Sequence, residues 1–411
     1  MNSRRSHIAA FSLPGVVVVS ALVMLLILFA FSLKTLDFQY HDQYRKQKQS
    51  RLDIRSALAL YQCDSTLLAG ADTAAVYLYE DGRDLIGIRK QRWGMYEAVT
   101  IGRSLEDPFK RTYLTGRLRE CSQGAAFWLC DRNIPLSLAG NTRLEGQVYI
   151  PHAGLKYLAL SERSFCGDSL SGYQLKASRR YLPRLRKDLW AYLDSLKAMR
   201  DTSVVWRDKA MVSFEEPVQL MHCPSRKMVT LRLGGHIVLF GDRLVLSKDS
   251  EIKDVMIIAR SVVLESGFRG SAQIFCADSI RLRPGVRLSY PSGLFVDASG
   301  LNAPCITIGE GSVVEGYVGI HWGEKYHYVL ENPCFILAKN ARVRGLLYAD
   351  GSCYIRGSIQ GAAYIKDCFY RERYSTYAET LCDVTIERDD SLAFPILLDG
   401  PYRRKYIKTV N

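Results

Sequence analysis

Apolar positions in the first third of the chain begin as one block and then break into short runs. From Ile8 to Leu33, 26 consecutive residues carry no charge, including Val16 to Val19 and Leu22 to Phe29. A hydrocarbon core takes about 20 apolar residues as a helix, so residues 8–33 predict a membrane-spanning helix after a seven-residue leader. A cleaved secretory signal with Arg4 and Arg5 at its start is the alternative. The run is longer than an ordinary signal core, and Phe29 to Leu36 offers no small-x-small cleavage site. Leu36 to Leu60 contains neither Gly nor Pro and is rich in Gln, Lys and Arg, which predicts a helical stalk over 34–62. Arg45, Lys46 and Lys48 would form its solvated face or meet anionic headgroups.

From Thr73 the period shortens. The runs Ala75 to Tyr79, Leu85 to Ile88 and Tyr96 to Ile101 are separated by Asp81-Gly82 and Arg92-Trp93-Gly94. They predict strands of a β-rich subdomain over 63–135. Leu185, Leu189, Leu193 and Leu196 recur at three- and four-residue spacing, the face of an amphipathic helix in an insertion over 179–205.

A six-residue step then takes over. Val238, Leu244, Ser250, Met256, Val262, Phe268, Ile274, Ile280 and Val286 are apolar but for Ser250. Two places on, Phe240, Leu246, Ile252, Ile258, Leu264, Gly270, Cys276, Leu282 and Leu288 repeat the pattern. Residues i and i+2 share one side of a strand, whereas a six-residue step wanders around a helix. A β-sandwich is the alternative, but its strands would need hairpin turns at every step. The fold class predicted is mainly β, a parallel β-solenoid (β-helix) with three faces and about 18 residues per coil. The motif apolar-x-Gly-x-x-Tyr recurs at Val343, Ile359 and, far upstream, Leu144. The expected order is first coils at 136–178, the helical insertion, the solenoid proper at 206–370, and a cap at 371–411 closing its end.

The leader ends in Ala9-Ala10, followed by Phe11-Ser12-Leu13-Pro14-Gly15 and the apolar helix. This resembles the N-terminus of type IV pilins and type II secretion pseudopilins, which implies processing between Ala10 and Phe11. The family's usual Glu at the fifth mature position is Gly15 here, as in some minor pilins. The repeat resembles bactofilins and, more loosely, hexapeptide-repeat proteins. The combination is similar to single-pass proteins of Bacteroidetes-type bacteria that carry little assigned activity. These resemblances imply a bacterial inner-membrane protein with its C-terminal domain outside the cytoplasm.

Composition adds less. Among 411 residues, 48% are hydrophobic, which argues against wholesale disorder, and the +13 charge favours an anionic neighbour without naming it. Tyr370, Tyr374 and Tyr377 interleave with Arg371 and Arg373, a pattern that can stack on a glycan or DNA or simply belong to the cap. Eleven cysteines cannot all pair within one chain. Cys121 and Cys130 are close enough in sequence for a small disulfide loop, and Cys276, Cys305, Cys334, Cys353, Cys368 and Cys382 fit a stack of small core residues.

The spacing of His321, Glu324 and His327 matches no dedicated zinc motif. His152 falls in an expected corner and His222 beside Cys223. His236 is the nearest counterpart of an acyltransferase histidine but lies at the start of the repeat. Asp242, Asp254, Asp278 and Asp297 are scattered over the register rather than stacked, and no phosphate loop or nucleophile elbow occurs. No catalytic residue, metal, cofactor or small-molecule substrate is therefore expected. The expected function is a membrane-anchored scaffold or minor subunit of an envelope pilus or secretion assembly, with envelope proteins or further copies as partners. The alternative is an anchored receptor for an anionic polymer.

Overall fold

The computed structural model describes residues 12–64, 66–68, 71–79, 82, 85–103, 109–118, 124–160, 163–170, 175–202, 204–205, 207–223, 228–297, 305–323 and 333–410. The protein is mainly β, with one long apolar helix at its N-terminus. Helix α1 (Ser12–Cys63) is continuous. Pro14 sits in its first turn, where the missing N–H interrupts no helical hydrogen bond.

Two sheets stack behind the C-terminal part of α1. Strands β1 (Thr73–Tyr77), β2 (Leu85–Trp93), β3 (Tyr96–Gly102) and β4 (Arg111–Leu118) form an antiparallel sheet, and the C-terminal strand Arg403–Val410 pairs with β4 as its fifth member. One side of this sheet presents Ile86, Ile88, Val99, Ile101 and Tyr113 to Ile54, Ala57 and Tyr61 of α1. Its other side carries Trp93, Met95, Tyr96, Ala98 and Leu114 onto a closed parallel sheet.

That closed sheet contains the six-residue repeat. Partners lie 18 positions apart at Leu244↔Val262 and Val262↔Ile280, but 17 at Ile257↔Ile274, 26 at Ile280↔Ile306, 29 at Val314↔Val343 and 16 at Val343↔Ile359. A uniform 18-residue spacing therefore does not hold across the sheet. The drop to 17 coincides with a register shift at Asp254, whose φ is +61. Its consequence is a change of side. Ile274 and Cys276 join the interior cluster with Ile257, whereas Val238, Phe240 and Met256, at the same step of the repeat, pack outside against the antiparallel sheet and α2 (Lys187–Ala198). One flank of the closed sheet is thus covered on both sides, and its strands are apolar on both.

The structure departs from the expected linear order of segments at its two ends and gives the helical insertion between them a role. Residues 124–177 do not precede the repeat; they extend it at its far end. Phe127, Trp128 and Leu129 pair with Ala363, Tyr364 and Ile365, and Arg143 and Leu144 pair with Thr385 and Ile386. Val148 to Ile150 then pair with Leu175 to Ala177. The closed sheet thus runs from Val204 through Glu387 and continues with Phe127 to Ala177, so Phe127 belongs to it rather than to the subdomain expected up to residue 135.

The helical insertion is a return path. Eleven strand spacings of about 4.8 Å separate Ala177 from Val204 along this flank, about 53 Å. The 26 residues between them, part helix and part extended, reach roughly that far. Leu189, Leu193 and Leu196 of α2 are buried against the flank, as their spacing predicts, and Leu185 bridges to Leu398.

At the other end, 371–411 is not a terminal cap. Its first part forms a hairpin and two further strands, Thr380–Cys382 and Thr385–Glu387, followed by the upstream segment. Its last part crosses back outside the sheet, burying Phe394 and Leu397, to reach β4.

Polar groups fix how the two sheets sit together. The β2–β3 turn docks on Gln273, whose Oε1 accepts from the Met95 N–H at 2.9 Å and from the Tyr317 hydroxyl at 3.0 Å, while its Nε2 donates to the Trp93 carbonyl at 2.9 Å. Within the closed sheet Gly316, Gly345 and Gly361 stack with φ of +138, +132 and +138. A Cβ on Gly345 would lie 1.9 Å from the Gly316 carbonyl oxygen, whereas one on Gly267 (φ +81) would meet open space. Gly345→Ala is expected to lower stability by about 3 kcal/mol or more and Gly267→Ala by about 1 kcal/mol, compared by denaturant titration.

Candidate functional site

Three places carry chemistry or exposure beyond what packing requires: the free half of α1, the clamp at its other end, and the hairpin at Tyr370–Tyr377. Residues 14–49 of α1 have no buried position, and from Val16 to Leu36 most side chains are large apolar ones facing outward. Its polar side chains bond within the helix. Ser20 donates to the Val17 carbonyl at 2.9 Å, Ser32 to Phe29 at 2.8 Å and Thr35 to Phe31 at 2.8 Å. That arrangement suits a helix with no water around it. Just beyond, Phe38, Tyr40 and Tyr44 are exposed, and Lys46 pairs with Asp42 at 2.7 Å, the composition of a membrane–water boundary. One helix here is long and apolar enough to cross a membrane. Ala10 and Phe11, the expected processing residues, lie outside the described residues.

Arg404, on the C-terminal strand, clamps the other end of α1. Its Nη1 donates to the carbonyls of Tyr61 at 3.1 Å and Asp64 at 2.9 Å, and its Nη2 to Leu67 at 3.2 Å. The Tyr61 carbonyl is one that the helix end leaves unpaired, Asp64 and Leu67 lie in the chain just past it, and a cation is favoured there by the helix dipole. The guanidinium also lies 4.1 Å from the Tyr61 ring centroid and 3.6 Å from Glu97 Oε2. Buried Glu97 accepts the hydroxyls of Tyr61 and Tyr402, both at 2.9 Å. Burial and then the Glu97 charge push both phenols up, so they remain donors. Further toward the apolar half of α1, buried Asp53 accepts from Arg103 at 3.0 Å and Gln49 at 2.8 Å.

The patch at Tyr370, Arg371, Arg373, Tyr374 and Tyr377 is one antiparallel hairpin, in which Tyr370 pairs with Tyr377 and Phe369 with Ala378. Tyr374 is fully exposed beside Arg373 (φ +49), and the Arg371 guanidinium lies over the Phe369 ring. Tyr370 instead packs with Ala139, Leu160 and Cys382. The structure therefore gathers all five residues in one element but exposes only part of them.

Asp367 and Glu379, which the sequence reading passed over, bracket the root of this hairpin. Both are buried, and Arg132 of the upstream segment reaches them at 3.2 and 3.9 Å. Burial, then Asp367, raises the Glu379 carboxyl to about 8. These groups are more than 230 positions from Arg132 in sequence, and no local pattern marks them: Asp367 stacks on Ser352, and Glu379 falls between two strands.

The remaining sequence candidates are structural or fall outside the described residues. His236 is a core histidine, held by the Glu216 carbonyl at 2.8 Å and packed on Trp93 and Phe214, with burial pulling its pKa down. His152 pairs with Asp131, and His321 with Asp297 at 3.2 Å beneath Trp190. Glu324 and His327 lie outside the described residues, as does Cys121. Cys130 is a free, buried thiol pushed up to about 12 by burial. Cys276, Cys334, Cys353 and Cys368 are buried free thiols and Cys382 is buried beside them, and burial raises Cys276, Cys353 and Cys368 far from thiolate formation.

Some basic side chains of the surface are held in lateral ion pairs. Arg260 bonds Asp278 at 2.7 Å, Lys366 bonds Asp350 at 2.8 Å, and Arg344 meets Glu315 and Asp389 at 3.7 and 3.1 Å. Comparison with family models, with characterised proteins and with solved structures finds no match for this chain.

Arg404→Met would strand the buried Glu97 charge and three carbonyls, an expected loss of about 3 kcal/mol by denaturant titration in detergent. Arg404→Lys should recover part of it, since an ammonium cannot fork to several carbonyls in fixed geometry.

Proposed function

We propose that this protein is a non-enzymatic structural component of the bacterial inner membrane, anchored by α1 and presenting its β-rich body outside the cytoplasm. In this reading it serves as a scaffold or minor pilin-like subunit of an envelope pilus or secretion assembly, with envelope proteins or further copies as partners. The closed parallel sheet is read as a β-solenoid whose basic coil of about 18 residues is lengthened by loops and shortened at bulges. The observation that carries the proposal is the continuity of α1. One helix is bare and apolar over its first half and clamped by Arg404 and Glu97 at its end, so a load on the body passes directly to the membrane.

An anchored receptor for an anionic polymer is favoured by one observation, the exposed tip at Arg373 and Tyr374. Against it, Arg260, Lys366 and Arg344 on the closed sheet are already paired with carboxylates.

Alkaline carbonate extraction should leave the native protein in the membrane pellet; release into the supernatant would refute the anchor. N-terminal sequencing should give Phe11 if the leader is processed as in pilins, and Met1 would count against that kinship. Cys63 and Cys166 are exposed thiols that report sidedness. A membrane-impermeant maleimide should label them in intact spheroplasts, and labelling that requires lysis would place the body in the cytoplasm. Protein partners retained through high salt after gentle solubilisation support the assembly role. Salt-sensitive retention on DNA or acidic glycan supports the receptor instead.

A further inference from the structure

The joint at which the upstream segment stacks on the downstream one is built around charge. Asp367 and Glu379 are both fully buried, one on each side of the hairpin Phe369–Ala378. Glu379 is also a pairing residue. Its N–H donates to the Cys368 carbonyl at 2.7 Å, its carbonyl accepts from the Ser137 N–H at 2.8 Å, and its Oε2 accepts from the Cys368 N–H at 3.3 Å. It does this with φ of +45, a conformation that a non-glycine residue keeps only when its surroundings hold it there.

The titratable and charged groups facing it are Asp367 and Cys368 on the strand before the hairpin and Arg132 on the loop after Phe127–Leu129. Slightly further out are Cys353, Cys130, the Lys366–Asp350 pair and the Asp131–His152 pair. Cys130, Cys353 and Cys368 are thiols that burial keeps neutral, so they bring no charge to the site.

We infer that Asp367, Glu379 and Arg132 form a proton-controlled latch: a proton held on Glu379 keeps the hairpin root and the Ser137 strand locked together, and its loss loosens both. With the proton in place, one buried carboxylate faces the Arg132 guanidinium. Without it, a second negative charge appears on a carboxyl shielded from solvent, beside Asp367. The raised carboxyl of Glu379 fixes the direction. A group whose folded pKa exceeds its unfolded value contributes stability at low pH. That contribution is complete below about 4.5 and is lost as pH rises through about 8. The hairpin carrying the exposed Tyr374 would therefore be held firmly in acid and become mobile at mildly alkaline pH. This inference stands independently of the membrane reading.

Hydrogen exchange on the full chain in detergent tests it. After correction for intrinsic rates, protection of the Ser137, Cys368 and Glu379 amides should fall at least tenfold between pH 5.5 and 8.5. Amides of the Leu244–Val262 ladder should not change. Glu379→Gln keeps the hydrogen-bonding shape without the charge and should abolish the fall; if it does not fold, Asp367→Asn relieves the same repulsion. His152→Gln removes the neighbouring imidazole and should leave the fall in place. A pH-independent wild type, or an undiminished fall in Glu379→Gln, would overturn the latch.

Discussion

The pairing of Phe127–Leu129 with Ala363–Ile365 governs the rest of the architecture. A parallel sheet leaves a bare row of N–H and C=O groups at each end, and here one end is extended by chain from far upstream. Once the upstream strands sit at the far end, the chain must travel back along the whole sheet before the repeat can begin at Val204. It does so through α2 and its flanks, and a chain lying along the sheet buries that flank from outside. The apolar outer positions Met256, Phe275, Phe295 and Tyr348 follow from this return path.

The same constraint joins the chain's two ends. Because the last strands of the repeat are deep in the sheet, residues 391–402 run outward over it, and the C-terminal strand completes the antiparallel sheet beside β4. That places Arg404 under the end of α1. The long helix is therefore secured by a residue some 340 positions downstream of its end, so α1 is clamped only once that distant strand is in place. Non-local closure of this kind carries a large loop-closure entropy, which favours an all-or-none body over separately folding pieces.

Two buried charged sites occupy the two joints that sequence order does not specify. Arg404 with Glu97 sets the helix on its sheet, and Arg132 with Asp367 and Glu379 sets the upstream strands on the downstream ones. Apolar strands of similar width would stack in several ways. A buried carboxylate accepts only the arrangement that brings it a cation, so these sites add specificity where hydrophobic burial is indifferent. The remaining surface pairs are exposed and worth little individually.

What depends on neighbours within a few positions is legible in the residue pattern alone. An uncharged run of 26 residues is a membrane-length helix whatever follows it, and apolar residues two apart with a six-residue recurrence require short stacked strands. The leucines of α2 are equally legible, because helical spacing alone selects their buried face. The tertiary structure decided what depends on contacts across hundreds of positions: that 124–177 extends the far end, that 371–411 feeds back into both sheets, and that Glu379 lies against Arg132. It also decided the side taken by Met256 against Ile274. A strand covered on both faces is apolar at most positions, and a nearly unbroken apolar run holds little information about which side is inside.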